Sequence, residues 1–263
     1  MTMTATPKDV AQTALPRVSS YDYSLFGEIE IKPLGPIRKV IAARMRASWL
    51  NIPHVAQFDE VDITELEALR QRLKPDAQRN GVKLTVLAFA IKACALALKA
   101  FPEFNSSLDD AGQNLILKKY CHIAFAVDTP VGLLVPVIKD ADKKSLLEIA
   151  TAIGTLTEKA RTKRLAFSDM EGACFSVSNL GKLGGTGFVP VINAPEVAIL
   201  GIGRSAQKPV VDLRGNIIAQ LMMPLSVVYD HRVIDGIAAG RFMEFLCAKF
   251  STPEILSASS VTP

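Results

Sequence analysis

A chain of 263 residues with 49% hydrophobic and 21% charged side chains is long enough to bury a sizeable core and short for two, which predicts one large domain with a tail or linker. No apolar run reaches the roughly 18 to 20 residues needed to span a bilayer, so a membrane protein built on helices is excluded. The net charge of +4 is spread over Lys and Arg residues interleaved with Asp and Glu, which argues against nucleic acid as a partner.

In chain order, residues 1–26 are rich in Ala, Thr, Ser and Pro and carry no hydrophobic period, the composition of a flexible arm or linker. From Pro36 to Leu50 the apolar positions Ile37, Val40, Ile41, Met45 and Trp49 recur at helical spacing, and Pro53 ends that helix. The stretch His54 to Asp62 partly alternates as a strand does. Asp62 or Thr64 is placed to cap a helix from Glu65 to about Leu73. Leu84 to Lys99 is apolar on nearly every side and predicts a buried helix. Short strands are expected at Asn114 to Lys118, His122 to Val127 and Leu133 to Ile138, followed by helices at Ser145 to Thr162 and around Ser168 to Glu171. The last third predicts strands at Ala173 to Ser178, Val197 to Ile202, Ile217 to Gln220 and Met222 to Tyr229, then a closing helix from Asp235 to Phe250. The pair Gly201 and Gly203 reads as a turn at a strand end. The summed pattern is a mixed, largely antiparallel sheet with helices on one side.

The four cysteines, Cys94, Cys121, Cys174 and Cys247, are far apart and lie in apolar surroundings. They read as buried thiols of a reducing compartment, with neither disulfide nor metal-ligand spacing. The N-terminus shows no apolar signal segment, so the cytoplasm is the expected location. Of the three histidines, His54 at a strand entrance and His122 on a strand face read as packing or surface residues. His231 differs, because the buried run Leu225-Ser226-Val227-Val228 leads straight into Tyr229-Asp230-His231-Arg232-Val233-Ile234-Asp235-Gly236. Two readings fit that stretch: a polar turn with Asp235 as helix cap, or a rigidly held imidazole. An imidazole, with an unperturbed pKa of about 6.5, is able to take a proton from a thiol of pKa about 8.5.

The segment Asp230-His231-Arg232-Val233-Ile234-Asp235-Gly236 resembles the His-x-x-x-Asp-Gly signature shared by the E2 components of 2-oxo acid dehydrogenase complexes and chloramphenicol acetyltransferase. Further segments are similar to the acetyl-transferring E2 of bacterial pyruvate dehydrogenase: Phe26-Gly27-Glu28-Ile29-Glu30, Asn51-Ile52-Pro53-His54-Val55, Asp62-Ile63-Thr64-Glu65-Leu66-Glu67, Phe104-Asn105-Ser106-Ser107-Leu108, Ala126-Val127-Asp128-Thr129-Pro130 and Asn193-Ala194-Pro195-Glu196-Val197-Ala198-Ile199-Leu200-Gly201. The resemblance runs from about residue 26 to about residue 250. It makes residues 27–263 an acyltransferase catalytic domain of the chloramphenicol acetyltransferase-like fold, an α/β two-layer sandwich with a mixed sheet.

The implied reaction moves an acetyl group from a dihydrolipoyl thioester to coenzyme A. His231 is the implied general base, Ser178 the hydroxyl that holds the tetrahedral oxyanion, and Asp235 an orienting acid or a helix cap. For Ser178 the plain alternative is a residue that only ends its strand. Arg70 and Phe188 are the implied contacts for coenzyme A, and no metal is implied. The resemblance further implies a homotrimer with His231 and Ser178 from different chains, possible assembly into a 24-subunit cubic core, and partnership with the E1 and E3 enzymes. The Asp-Lys-Ala turn of a lipoyl domain is missing, so the lipoyl group is expected on a domain outside this chain. The run Pro253 to Leu256 is apolar enough to join trimers, whereas the tail Ser257 to Pro263 is polar. Two rival readings stand: a free acetyltransferase acting on a hydroxyl acceptor, and an inactive scaffold for partner enzymes.

Overall fold

A computed structural model describes residues 21–257 except Val131, Lys182 and Gly184. The arm expected over residues 1–26 therefore lies mostly outside the described residues, as does the tail beyond Ser257. The chain divides into a unit up to Gly35 and a second from Pro36. In the first, residues 21–35 are exposed throughout and form one 3-10 turn, Tyr23–Leu25, in which the Asp22 carboxylate accepts from the Ser24 N–H at 3.1 Å.

The second unit opens with helix α1 (Pro36–Asn51), strand β1 (His54–Asp62), α2 (Thr64–Arg79) and α3 (Val86–Ala100). Six short strands follow: β2 (Ser106–Leu108), β3 (Leu115–Leu117), β4 (Ile123–Phe125), β5 (Val127–Thr129), β6 (Gly132–Leu134) and β7 (Val137–Ile138). Then come α4 (Leu146–Arg161), β8 (Phe175–Asn179), β9 (Ala198–Ile202), β10 (Ala206–Val211), β11 (Ile217–Asp230), α5 (Gly236–Ser251) and α6 (Glu254–Ser257). None of the described helices is long and apolar enough to cross a membrane.

Most of these elements lie where the pattern predicts, and the departures have physical causes. Helix α2 runs past Leu73 to Arg79 with Pro75 inside it. A proline removes one donor, and the burial of Ala77 holds the last turn to the core regardless. The run expected over Leu133 to Ile138 breaks into β6 and β7 around Pro136, whose carbonyl accepts from the Phe125 N–H at 3.0 Å. Strand β10 was not foreseen, because Gln207, Lys208 and Pro209 give it a polar edge composition. By pairing with Ile217–Met222 it makes the two strands expected there into one, the 14-residue β11.

The main sheet has the order β1-β11-β9-β8-β4-β7, with β10 also on β11. Strand β8 runs parallel to β9 and β4, and the remaining pairs are antiparallel. The strands β2/β3 and β5/β6 form two separate ladders. Alternation along the strands gives the sheet two unlike faces. Phe175, Val177, Leu200, Leu225 and Val227 join one large core with Leu66, Phe89, Ile149 and Phe242 from α2, α3, α4 and α5. In that core Phe104 stacks on Phe242 with ring centroids 3.9 Å apart. Each such side chain, fully buried, stabilises the fold by about 1.5 to 3 kcal/mol. The opposite face carries a small apolar cluster, Ile52, Ile192, Ile199 and Val228, together with the buried hydroxyls of Ser176 and Ser226. Ser178 lies on this second face.

Candidate active site

His231 follows the last residue of β11, and its position is imposed from two sides. The Asp230 N–H donates to the Val197 carbonyl at 2.8 Å and the His231 N–H donates to the Pro53 carbonyl at 3.1 Å. Asp230 itself is buried, and Arg232 binds its carboxylate through Nε at 2.9 Å and through a terminal nitrogen at 2.6 Å. That ion pair raises the Arg232 pKa and stiffens the turn. The His231 side chain is exposed, with its ring 5.9 Å from that of Tyr229. A rigid turn thus presents an imidazole to solvent.

Asp235 performs the bland of its two sequence readings: its Oδ1 accepts from the Ala238 N–H at 2.8 Å, capping α5. Among the described residues no ion pair joins it to His231. The cap fixes where α5 begins and hence the end of the His231 turn.

Ser178 is the penultimate residue of β8, half-buried, and faces Gly201 of β9, which in turn faces Ser226 of β11. The structure here corrects one expectation: Gly201 is no turn residue but sits inside β9. A Cβ on it would collide with the Ser226 hydroxyl and come within 3.1 Å of the Phe188 ring. Phe188 therefore packs into the space left by the missing side chain, over the glycine that stands between Ser178 and Ser226. Gly203, just past the strand, is likewise required, since a Cβ there would meet Pro224 at 2.7 Å. Across β11, Phe58 of β1 pairs with Ser226 and lines a cavity of about 570 Å³ with Asp59, Glu60, Thr186, Gly187 and Leu225.

Ser178, Phe188 and the cavity belong together, whereas His231 lies at a distance from them. From Ser178 to His231 the path crosses two strand spacings and five residues of β11, which amounts to roughly 15 to 20 Å. No carbonyl carbon is within reach of both in one chain. Arg70 is engaged elsewhere: it forks onto Glu67 at 2.8 and 2.7 Å and donates to the Leu84 carbonyl at 3.1 Å, tying α2 to the start of α3.

Sequence reasoning passed over Glu196, which is buried behind this region and accepts from Asn193 Nδ2 at 2.9 Å. Burial pushes its carboxyl up to about 7. The signal was available, because an acidic residue between Pro195 and Val197 leads into a wholly apolar strand. The other two histidines bear out their packing roles. His122 Nδ1 accepts from the Asp140 N–H at 3.0 Å and its ring packs at a tilt against Tyr120, centroids 4.6 Å apart, and both ring nitrogens of His54 are bound to backbone.

The model of the 2-oxoacid dehydrogenases acyltransferase (catalytic domain) family matches residues 26–257. The chain belongs to this family. It is 53% identical over 232 residues, 88% of the chain, to the dihydrolipoyllysine-residue acetyltransferase component of the pyruvate dehydrogenase complex of Pseudomonas aeruginosa, and 54% identical over 86% of the chain to that of Azotobacter vinelandii. It spans 42% and 35% of the length of those two relatives. Among solved structures, the Azotobacter vinelandii dihydrolipoamide acetyltransferase, investigated for the roles of a serine, a histidine and an asparagine in its catalytic mechanism, superposes with a TM-score of 0.90 at 50% identity, covering 93% of this chain and all of that one. The cubic core of a pyruvate dehydrogenase multienzyme complex superposes with the same score, identity and coverage.

Proposed function

We propose that the chain is an acetyltransferase passing acetyl groups between a dihydrolipoyl thiol and coenzyme A. The observation that carries this reading is an exposed imidazole on a turn pinned by two backbone hydrogen bonds and by the ion pair of Arg232 with the buried Asp230, in a member of a family of acyltransferases. His231 takes the proton of the coenzyme A thiol, and the thiolate attacks the thioester carbonyl. The hydroxyl of Ser178 donates to the oxyanion of the tetrahedral intermediate. Collapse of that intermediate expels the dihydrolipoyl thiolate, which recovers the proton from the imidazolium. Phe188 offers an apolar wall for the pantetheine arm, and Asp235 serves the site by fixing the turn from its cap. The forked bond of Arg70 to Glu67 favours a structural duty at the α2–α3 junction over a phosphate contact.

The separation of Ser178 from His231 supports a site shared between chains, with His231 of one subunit facing Ser178 of the next in a homotrimer. The relative of known cubic-core structure favours further assembly into 24 subunits. α1 offers surface for such contacts, since Ile37, Val40 and Trp49 are 41%, 57% and 59% exposed. In this reading residues 27–263 are the catalytic domain of a cytoplasmic enzyme served by a lipoyl domain and by the E1 and E3 partners.

The test is acetyl transfer from acetyl-coenzyme A to free dihydrolipoamide. His231→Ala is expected to lower kcat by about 10²- to 10⁴-fold and Ser178→Ala by about 10²- to 10³-fold, with oligomeric state unchanged. A His231→Ala protein as active as the parent would refute the assignment, and an inactive parent of native size would favour the scaffold.

A further inference from the structure

Behind His231 stands a second histidine whose two nitrogens are both committed. The Nδ1 of His54 lies 2.8 Å from the Ile52 carbonyl, and its Nε2 lies 3.1 Å from the Ile192 N–H. A carbonyl only accepts and an amide only donates, so Nδ1 must carry the proton and Nε2 must be bare: one neutral tautomer satisfies both bonds. Trp49 lies over the ring, with centroids 5.1 Å apart. The two peptides that this ring joins come from distant parts of the chain. Ile52 precedes Pro53, whose carbonyl holds the His231 N–H, and Ile192 begins the segment that ends at Val197, whose carbonyl holds the Asp230 N–H. The imidazole of His54 is therefore a crosslink between the two segments that fix the His231 turn. Its own Cα is paired in the sheet with Asp230.

We infer that His54 is a positioning residue for His231: it sets the spacing of the Pro53 and Val197 carbonyls, and through them the direction in which the His231 imidazole leaves β11. This deepens the acetyltransferase reading and rests on it only for its catalytic consequence. A misplacement of about 1 Å in a reacting group is enough to cost on the order of 100-fold in rate. His54→Phe keeps an aromatic ring under Trp49 and removes both hydrogen bonds. His54→Gln returns an acceptor within reach of the Ile192 N–H.

The experiment has two readouts. In the transfer assay, His54→Phe should lower kcat by about 10- to 100-fold with both KM values within about twofold and trimers intact, and His54→Gln should recover most of the loss. Without any substrate, the amide hydrogen of His231 should exchange at least about tenfold faster in His54→Phe while the amides of α3 keep their protection. Unchanged exchange at His231 overturns the inference whether or not the protein transfers acetyl groups. Faster exchange in every element, α3 included, assigns His54 to general stability and also overturns it. If the parent lacks transfer activity, the acetyltransferase reading fails and the exchange rates alone decide the role of His54. Should His54→Phe not fold, His54→Leu, which also removes both hydrogen bonds, takes its place in the exchange measurement, and faster exchange confined to the His231 turn is again the supporting result, unchanged exchange the opposing one.

Discussion

A carboxyl whose pKa is raised inside the fold makes stability depend on pH in a definite sense, and Glu196 is such a group. Its ordinary value of 4.5 rises to about 7 because burial penalises the charged form. Between those values the folded protein keeps a proton that the unfolded chain has released, so stability falls as pH rises through the window and is lower by about 3 kcal/mol above it. Glu196→Gln preserves a neutral side chain of the same shape and removes the dependence. The variant should match the parent in urea unfolding at pH 4 and exceed it at pH 8; parallel curves for the two proteins across that range would contradict the assignment. The same penalty acts on the thiols: burial holds Cys121 at about 12 and keeps Cys94 above the usual thiol range. The sequence reading of inert, reduced cysteines follows from their apolar neighbours, and the structure leaves all four free. Glu196 was legible only in part: its place ahead of an apolar strand marks an acid at the edge of the core, while the closeness of Asn193 to its carboxylate depends on how one loop folds.

At the scale of elements, the helix cap and the glycine strand each carry a test. Asp235→Ala removes the acceptor for the Ala238 N–H and should cost about 1 kcal/mol of stability, read as a shift in the thermal midpoint. Asp235→Asn keeps a capping oxygen and should retain both stability and most of the transfer rate, as the cap role requires. A large loss of rate in the Asn variant at unchanged stability would show that the charge itself is needed. Gly201→Ala drives a methyl into Phe188 and Ser226, which predicts a loss of about 1 to 3 kcal/mol together with a rise in KM for coenzyme A as Phe188 is displaced. Elements whose pattern is local were legible in advance: β1 coincides with the expected strand, and α5 begins one residue after the expected Asp235 because that residue is its cap. β10 and the single long β11 were not, because a polar edge strand exists only through the partner that it pairs with.

For the whole molecule, the distance between Ser178 and His231 leads to a complementation experiment. His231→Ala and Ser178→Ala subunits are each inactive alone, yet a site built from the His231 of one chain and the Ser178 of its neighbour is intact whenever the two meet in the right order. Co-expression in equal amounts should restore about one quarter of the parental activity in the whole preparation, pure trimers included. Restoration of none would mean that both residues serve within a single chain, against the geometry of the sheet. The sequence by itself determined the family, the His231 motif, the helices with a clear 3.6-residue period and the buried character of Cys94, Cys121 and Cys174, while Cys247 is only partly buried. These are legible because each depends on residues a few positions apart, where periodicity, capping and composition act. Tertiary structure alone decided that Gly201 is a seat for Phe188, that Arg70 is bound to Glu67 and Leu84, that His54 bridges two distant peptides, and that Ser178 lies strands away from His231. Each of these depends on which strand pairs with which and in what register, and that pairing is settled by the burial of the whole helix face against α2 to α5, a sum over the chain that no single segment contains.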